Sequence, residues 1–328
     1  MPLIGESEYI SFLLQENRMN KFSFIVCFFV TIIFSSCDNY FKNDYHDNSP
    51  TSGKLKVYHT EGLAPHVQNH SATFESQYPG AQVECIQANE SDCLLALLND
   101  SCKAIIITRL LGETEIKAFA QKQLSPRYSP LAKTGIALIA SKKLKLDKLT
   151  VDQVKKLLAD ELIIEDSLKN KIKLSAIIDN KNSDVARFLL DSLIHQNQFG
   201  PNCFATGNCT ELIEKISVAE NAIGFFDFAW LSDKDDELYK KYSNFIRFIP
   251  IGKTDTLFVE PNQSSFKTGE YPFTRTVYIL RKGEDFSLVQ GLETFMAGPK
   301  GQLIFLKQGL LPYKQGERII EVNMDPNK

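Results

Sequence analysis

Residues able to do covalent or metal chemistry are few in this chain of 328 residues: seven cysteines and five histidines. Cys37 stands apart from the rest. It follows Ser35, Ser36 and an apolar run from Phe22 to Phe34, with Lys21 just ahead. A charged start, an apolar stretch and small residues make a processing signal. The run is too short for a bilayer core, which takes about 20 apolar residues. A thiol placed there is set for acylation, so residues 1–36 read as leader and lipoprotein signal peptide, and Cys37 as the lipidated N-terminus of an exported protein. An uncleaved anchor helix, or a plain signal peptide with a chance cysteine, is the competing reading. Glu6, Glu8 and Glu16 sit badly in a leader, which makes Met19 a more natural start than Met1.

Five cysteines remain in the folded part. Cys93 could pair with Cys102, and Cys203 with Cys209, since an oxidising compartment permits disulfides. Buried free thiols, with Cys85 among them, are the alternative. None of the spacings is C-x-x-C. His66 and His70 share a helix face at i, i+4 but lack the further ligands a metal needs, so they read as exposed positions and no metal is expected. The hydrolase, metalloprotease and P-loop signatures are absent from the sequence, so neither an enzyme nor a cofactor is expected. A net charge of −3 without a basic run offers nothing to nucleic acid.

The elements that would position these residues follow from periodicity. Residues 37–53 are polar and read as a tether. From Lys54 the chain alternates: strand 54–60, helix 65–77, strand 81–87, a helix capped by Ser91, buried strand 103–108, helix 112–124. Continuous apolar runs such as Ala104–Ile107 mark strands covered on both faces, and the alternation argues for a mostly parallel sheet flanked by helices. A second cycle starts near Gly135: strand 134–141, a helix capped by Thr150, strand 171–179, a helix from Asp184, a helix from Cys209, strand 221–226. Strands 245–251 and 271–280 and two terminal helices close the chain. Two such sheets face each other as lobes, with ligands at the carboxyl ends of their strands.

The order of four phrases carries a resemblance: IIDNKNSDVARFLLDSL (177–193), ENAIGFFDFAWLSD (220–233), GEYPFTRTVYIL (269–280) and GLETFMAGPKGQ (291–302) running on to LKQGLLPY. Over residues 54–320 the chain resembles the phosphate-binding subunit of bacterial phosphate ABC importers in its lipoprotein form. The resemblance implies an α/β, two-lobed periplasmic binding protein type II fold, with lobe 1 from 54–134 plus 275–328 and lobe 2 from 135–274. It implies capture of phosphate or a similar oxyanion and delivery to an ABC permease, by a monomer at the periplasmic or cell surface, held to the membrane by its lipid. The other reading keeps the fold and drops anion binding in favour of an interaction or sensory role.

Carried over by position, the ligand loops are Thr60-Glu61-Gly62, the junction Asn89-Glu90-Ser91, Thr108-Arg109, and Asn180-Lys181-Asn182-Ser183 with Arg187 beyond. All lie at strand-to-helix junctions, where free N–H groups and the helix dipole favour anions. Two departures stand out. Asp184 puts a carboxylate where the family has glycine; it either repels an anion or merely complements its own helix. Thr108 and Arg109 replace an acceptor carboxylate, so Arg109 could hold the ligand in a fork and Glu61 could take the acceptor role; either could equally pair with a surface charge. Phe225–Phe228 and Trp230 read as core, and Arg275 as half of a buried ion pair.

Overall fold

The structure is a computed structural model that describes residues 48–165, 171–282 and 286–314. The leader, the apolar run and Cys37 lie outside the described residues. Strand β1 (Ser52–His59), helix α1 (Ala64–Gln77), β2 (Gly80–Gln87), α2 (Glu90–Leu98), β3 (Ala104–Ile107) and α3 (Glu113–Gln121) alternate as the sequence periodicity predicts. Then come β4 (Arg127–Ser141), α4 (Val151–Leu158), β5 (Ser175–Ile178), α5 (Asp184–Phe188), β6 (Cys203–Ala205), α6 (Cys209–Val218) and β7 (Ala222–Asp227). The chain closes with α7 (Glu237–Tyr242), β8 (Ile246–Phe248), α8 (Gln263–Thr268), β9 (Thr274–Arg281), α9 (Leu288–Ala297), α10 (Pro299–Lys307) and β10 (Leu311–Pro312). Asn48–Ser49 folds back on Ser52–Gly53, so regular structure begins ahead of Lys54.

The α/β organisation is as expected. The sheet is parallel in its two flanks, β2–β1–β3 on one side and β7–β5–β6 on the other. Between them β9 and β4 run antiparallel to their neighbours. Strand β4 belongs to both halves: Arg127–Gly135 pair with β9, and Ile136–Ala140 pair with β7. Gly135 marks the exchange, where a Cβ would stand 2.9 Å from the Phe266 ring and 3.1 Å from the Phe273 carbonyl. The sequence shows only the second half of β4, because Pro130 breaks the strand signal. The structure accommodates Pro130 with a register shift between Val277 and Tyr278 on the facing strand, a bulge that absorbs the missing donor.

Packing follows the pattern of apolar runs. All four residues of β3 and all six of β7 are buried. One continuous core runs through both halves, from Val57 and Phe74 to Phe225 and Ile251, and a smaller cluster of Cys93, Leu97, Ile105, Ile107 and Phe119 lies apart from it. Thr150 caps α4 by accepting from Gln153 N at 3.2 Å while Gln153 Oε1 accepts from Thr150 N at 2.8 Å, the reciprocal capping box.

Two expectations change, those for the histidines and for Ser91, and one open alternative, that of the cysteines, is decided. His66 and His70 are buried, not exposed. His70 Nδ1 lies 2.7 Å from the His66 carbonyl and its Nε2 3.0 Å from the Gly301 carbonyl, and His66 Nε2 lies 3.1 Å from Ser232 Oγ; they join α1 to the α10 region. Burial lowers both imidazole pKa values, His66 to about 3. The five cysteines of the described residues are all free thiols, so neither disulfide forms. Ser91 is exposed in the first turn of α2, whose N-cap is Asn89.

Candidate functional site

A buried ionic cluster forms where the two halves meet. Arg275, the second residue of β9, reaches Asp184 Oδ2 at 2.8 Å through one terminal nitrogen and Asp227 Oδ2 through the other. The Thr108 hydroxyl donates to Asp184 Oδ2 at 3.0 Å, and the Thr134 hydroxyl to Asp227 Oδ1 at 2.6 Å. Arg275, Asp184 and Asp227 are 6%, 2% and 0% exposed, so water gives them almost no solvation. Two carboxylates thus share one guanidinium. Burial, and then the charge of Asp184, push Asp227 above the usual carboxylate range despite the Arg275 guanidinium. Burial alone would lower Arg275, but Asp184 and Asp227 outweigh it and hold the group charged. Desolvating charges is costly, and removing one partner of a buried set leaves another uncompensated.

Local sequence explains the placement. Asp184 opens α5 directly after Ser183, whose hydroxyl accepts from Ala186 N at 3.0 Å as an N-cap and donates to Asp179 Oδ1 at 2.6 Å. Asp179 directly follows β5 and is fully buried, and desolvation lifts it to about 8 even though Ser183 and Asn180 N donate to it. At neutral pH it therefore holds its proton. Asp227 ends β7 and caps the turn Phe228–Trp230 by accepting from Ala229 N at 2.9 Å.

The first loop closes over the cluster. Gly62 sits against Asp227; a Cβ there would lie 2.7 Å from the Asp227 Cβ. Thr60 is buried and its hydroxyl has no hydrogen-bond partner; the same is true of Arg275 Nε. Glu61 Oε1 accepts from Cys209 N at 2.8 Å, and its carbonyl from Trp230 Nε1 at 3.0 Å. Burial raises the Glu61 pKa, and the Cys209 amide holds it back in part.

The remaining candidates lie in a second ionic group. Arg109 grips Glu115 with two bonds of 2.7 Å and also pairs with Glu90. Arg187 reaches the other oxygen of Glu90 at 3.0 Å. Both arginines are thus turned to carboxylates of the protein itself, and Glu90, at 3% exposed, bridges them. Asn180 Oδ1 accepts from Asn182 N at 2.9 Å, shaping the loop, and Asn182 is exposed. Thr108 shares Asp184 with Arg275, Ser183 directly precedes Asp184, and Gly62 packs on Asp227, while Thr60 is buried in the same loop as Gly62 and the Glu61 side chain turns to Cys209. Arg109 and Arg187 pair with Glu90, Asn180 braces its own loop, and Asn182 and Ser91 are exposed.

Asp179, Asp227 and Thr134 are not singled out by the sequence reading. A signal exists for the two acids: each is a lone carboxylate ending a wholly apolar run, AII and AIGFF. A buried strand end with an acid needs a partner inside. Among the described residues no group of three or more His, Cys, Asp or Glu could hold a metal.

Residues 46–300 match the family described as PBP superfamily domain. The phosphate-binding protein PstS of Pseudomonas aeruginosa is 22% identical over 301 residues, covering 85% of this chain and 89% of its own. An assigned phosphate ABC transporter substrate-binding protein from Clostridium perfringens, solved with phosphate bound, superposes with a TM-score of 0.67 at 17% identity, over 80% of this chain and all of the other. An ABC-type phosphate transport receptor from Vibrio cholerae gives 0.60 at 15%, over 78% and 99%. These likenesses accord with two sheet halves joined by β4 and β9, and the chain belongs to the PBP superfamily domain family.

Proposed function

We propose that this chain is a binding protein, not an enzyme, that captures phosphate or a similar small oxyanion outside the cytoplasm and hands it to an ABC permease. The relatives named as phosphate-binding transport proteins support the class. One observation carries the chemistry. At the meeting of the two halves a hydroxyl (Thr108) and a guanidinium (Arg275) already hold an oxyanion, the carboxylate of Asp184, and Arg275 Nε, like the buried hydroxyl of Thr60 in the first loop, has no partner. Hydroxyls and a fork of N–H donors are the groups that bind phosphate and carboxylate alike.

The lobes of this reading are residues 54–134 plus 275–328 and residues 135–274. The exchange of partners by β4 at Gly135–Ile136 and the start of β9 at Thr274 support that division. Acylation at Cys37, directly after the apolar run Phe22–Phe34 and Ser35-Ser36, would supply the membrane anchor.

A thermal-shift series with phosphate, sulfate, molybdate and arsenate tests the reading. A ligand at a hundred times its Kd should stabilise the protein by about 2.7 kcal/mol. No shift with any of the four at millimolar concentration would leave the second reading, a lipoprotein of the same fold with an interaction or sensory role. The observation favouring that one is Asp184 itself, which fills the donors.

A further inference from the structure

Asp184 can be read more closely than as an obstacle. Its Oδ2 takes the Thr108 hydroxyl at 3.0 Å and one Arg275 nitrogen at 2.8 Å, at 2% exposure. Thr108 follows β3 in the first half, and Asp184 opens α5 in the second. We propose that the Asp184 carboxylate is a built-in occupant of the oxyanion seat, so that an incoming oxyanion binds by displacing it from Thr108 and Arg275. The proposal rests on the oxyanion reading above and deepens it, by making Asp184 the residue that sets affinity.

Three observations support competition over simple structural pairing. Two carboxyl groups, Asp184 and Asp227, share the one Arg275 guanidinium, so one of them is in excess of what it can fully satisfy. Arg275 keeps a carboxyl partner in Asp227 when Asp184 leaves. Thr60 Oγ1 and Arg275 Nε are buried donors without partners in this arrangement, and buried donors normally find one. A tetrahedral oxyanion offers more acceptors than a single carboxylate oxygen. With Asp184 in place it meets a guanidinium and a hydroxyl already taken; with Asp184 withdrawn it meets the Thr108 hydroxyl and the Arg275 nitrogen that Asp184 has left, next to the unpartnered Arg275 Nε. Binding should then be coupled to movement of α5, and phosphate affinity should be weakened by the free energy that holds Asp184 in the seat.

Titrating the full-length protein in mild detergent with inorganic phosphate, by calorimetry, measures this directly. Asp184→Asn should bind phosphate at least about tenfold more tightly than the wild type, a change of about 1.4 kcal/mol. Equal or weaker binding by a folded Asp184→Asn protein, against measurable binding by the wild type, overturns the displacement and leaves the oxyanion reading standing. Failure of both proteins to bind phosphate or sulfate overturns the oxyanion reading, and this proposal with it. Binding by the variant alone supports both. Should Asp184→Asn fail to fold, Asp184→Ser removes the same charge and keeps an acceptor for Thr108. Hydrogen exchange on the wild type needs no variant at all: saturating phosphate should change the exchange of amides from Ser183 to Phe188, and an unchanged pattern at saturation rejects displacement.

Discussion

Buried carboxylates set the chemistry of individual residues here. Asp179 is the clearest case. Desolvation raises it to about 8, although Ser183 and the Asn180 amide favour its charged form. The sign of its effect on stability follows. Between pH 4 and pH 8 the unfolded chain has released this proton and the folded protein retains it, so stability falls as pH rises, by up to about 1.4 kcal/mol per pH unit. Its contribution is fully present below pH 4 and lost as pH rises through 8. Asp179→Asn has nearly the same shape and nothing to ionise. Its stability relative to the wild type should therefore increase steadily from pH 5 to pH 8 in urea melts. A difference that does not vary with pH would show that Asp179 is already ionised in the fold. Arg275 is the opposite case: two acids hold it charged, and its position inside a strand is what pointed the sequence reading to a buried ion pair.

At the scale of elements, short connections decide where side chains meet. α9 and α10 are joined at Gly298, which ends one and precedes Pro299 at the start of the other. The helices approach so closely at Gly301 that a Cβ would lie 2.4 Å from the Phe295 carbonyl and 2.5 Å from Met296. These are backbone atoms and cannot rotate aside. The Gly301 carbonyl is also an acceptor for His70. Gly301→Ala should therefore destabilise the protein by about 1–3 kcal/mol through overpacking, in spite of alanine's better helix propensity. A melt in which Gly301→Ala is as stable as the wild type would show that α10 shifts freely. The buried histidines that tie α1 to this region were hidden from the sequence for a related reason. Their i, i+4 spacing identifies a face of α1 but not what covers it, and Phe305 does so, 4.0 Å from the His70 ring.

Across the whole molecule, the chain passes between the halves through β4 and β9, and the site is built from residues brought together by those passages. Polar contacts across it include Thr108 to Asp184, Arg275 to Asp184, Arg187 to Glu90 and Cys209 N to Glu61. They are internal bonds of the kind a ligand would otherwise make, and they tie the two halves over a continuous core. Where the protein works depends on its other end. If Cys37 is acylated, Cys37→Ser should move the protein from the membrane pellet to the soluble fraction on cell fractionation. Retention of Cys37→Ser in the pellet would favour the uncleaved anchor helix instead.

The sequence alone determined the α/β alternation, the helix at Thr150, the buried strands β3 and β7, and the junctions at Thr60, Thr108 and Ser183. Each is written in local periodicity, caps and apolar runs, which act over a few residues. Tertiary structure decided the rest. Arg275 and Asp184 are 91 residues apart, and Thr108 and Asp184 are 76 apart; no local pattern records which charge will neutralise which. Arg109 and Arg187 were legible as cations near the site, yet only folding showed Glu90 and Glu115 taking them. The physical reason is that a charge in a dry interior is governed by its neighbours in space, and those are chosen by how β4 and β9 bring the two halves together.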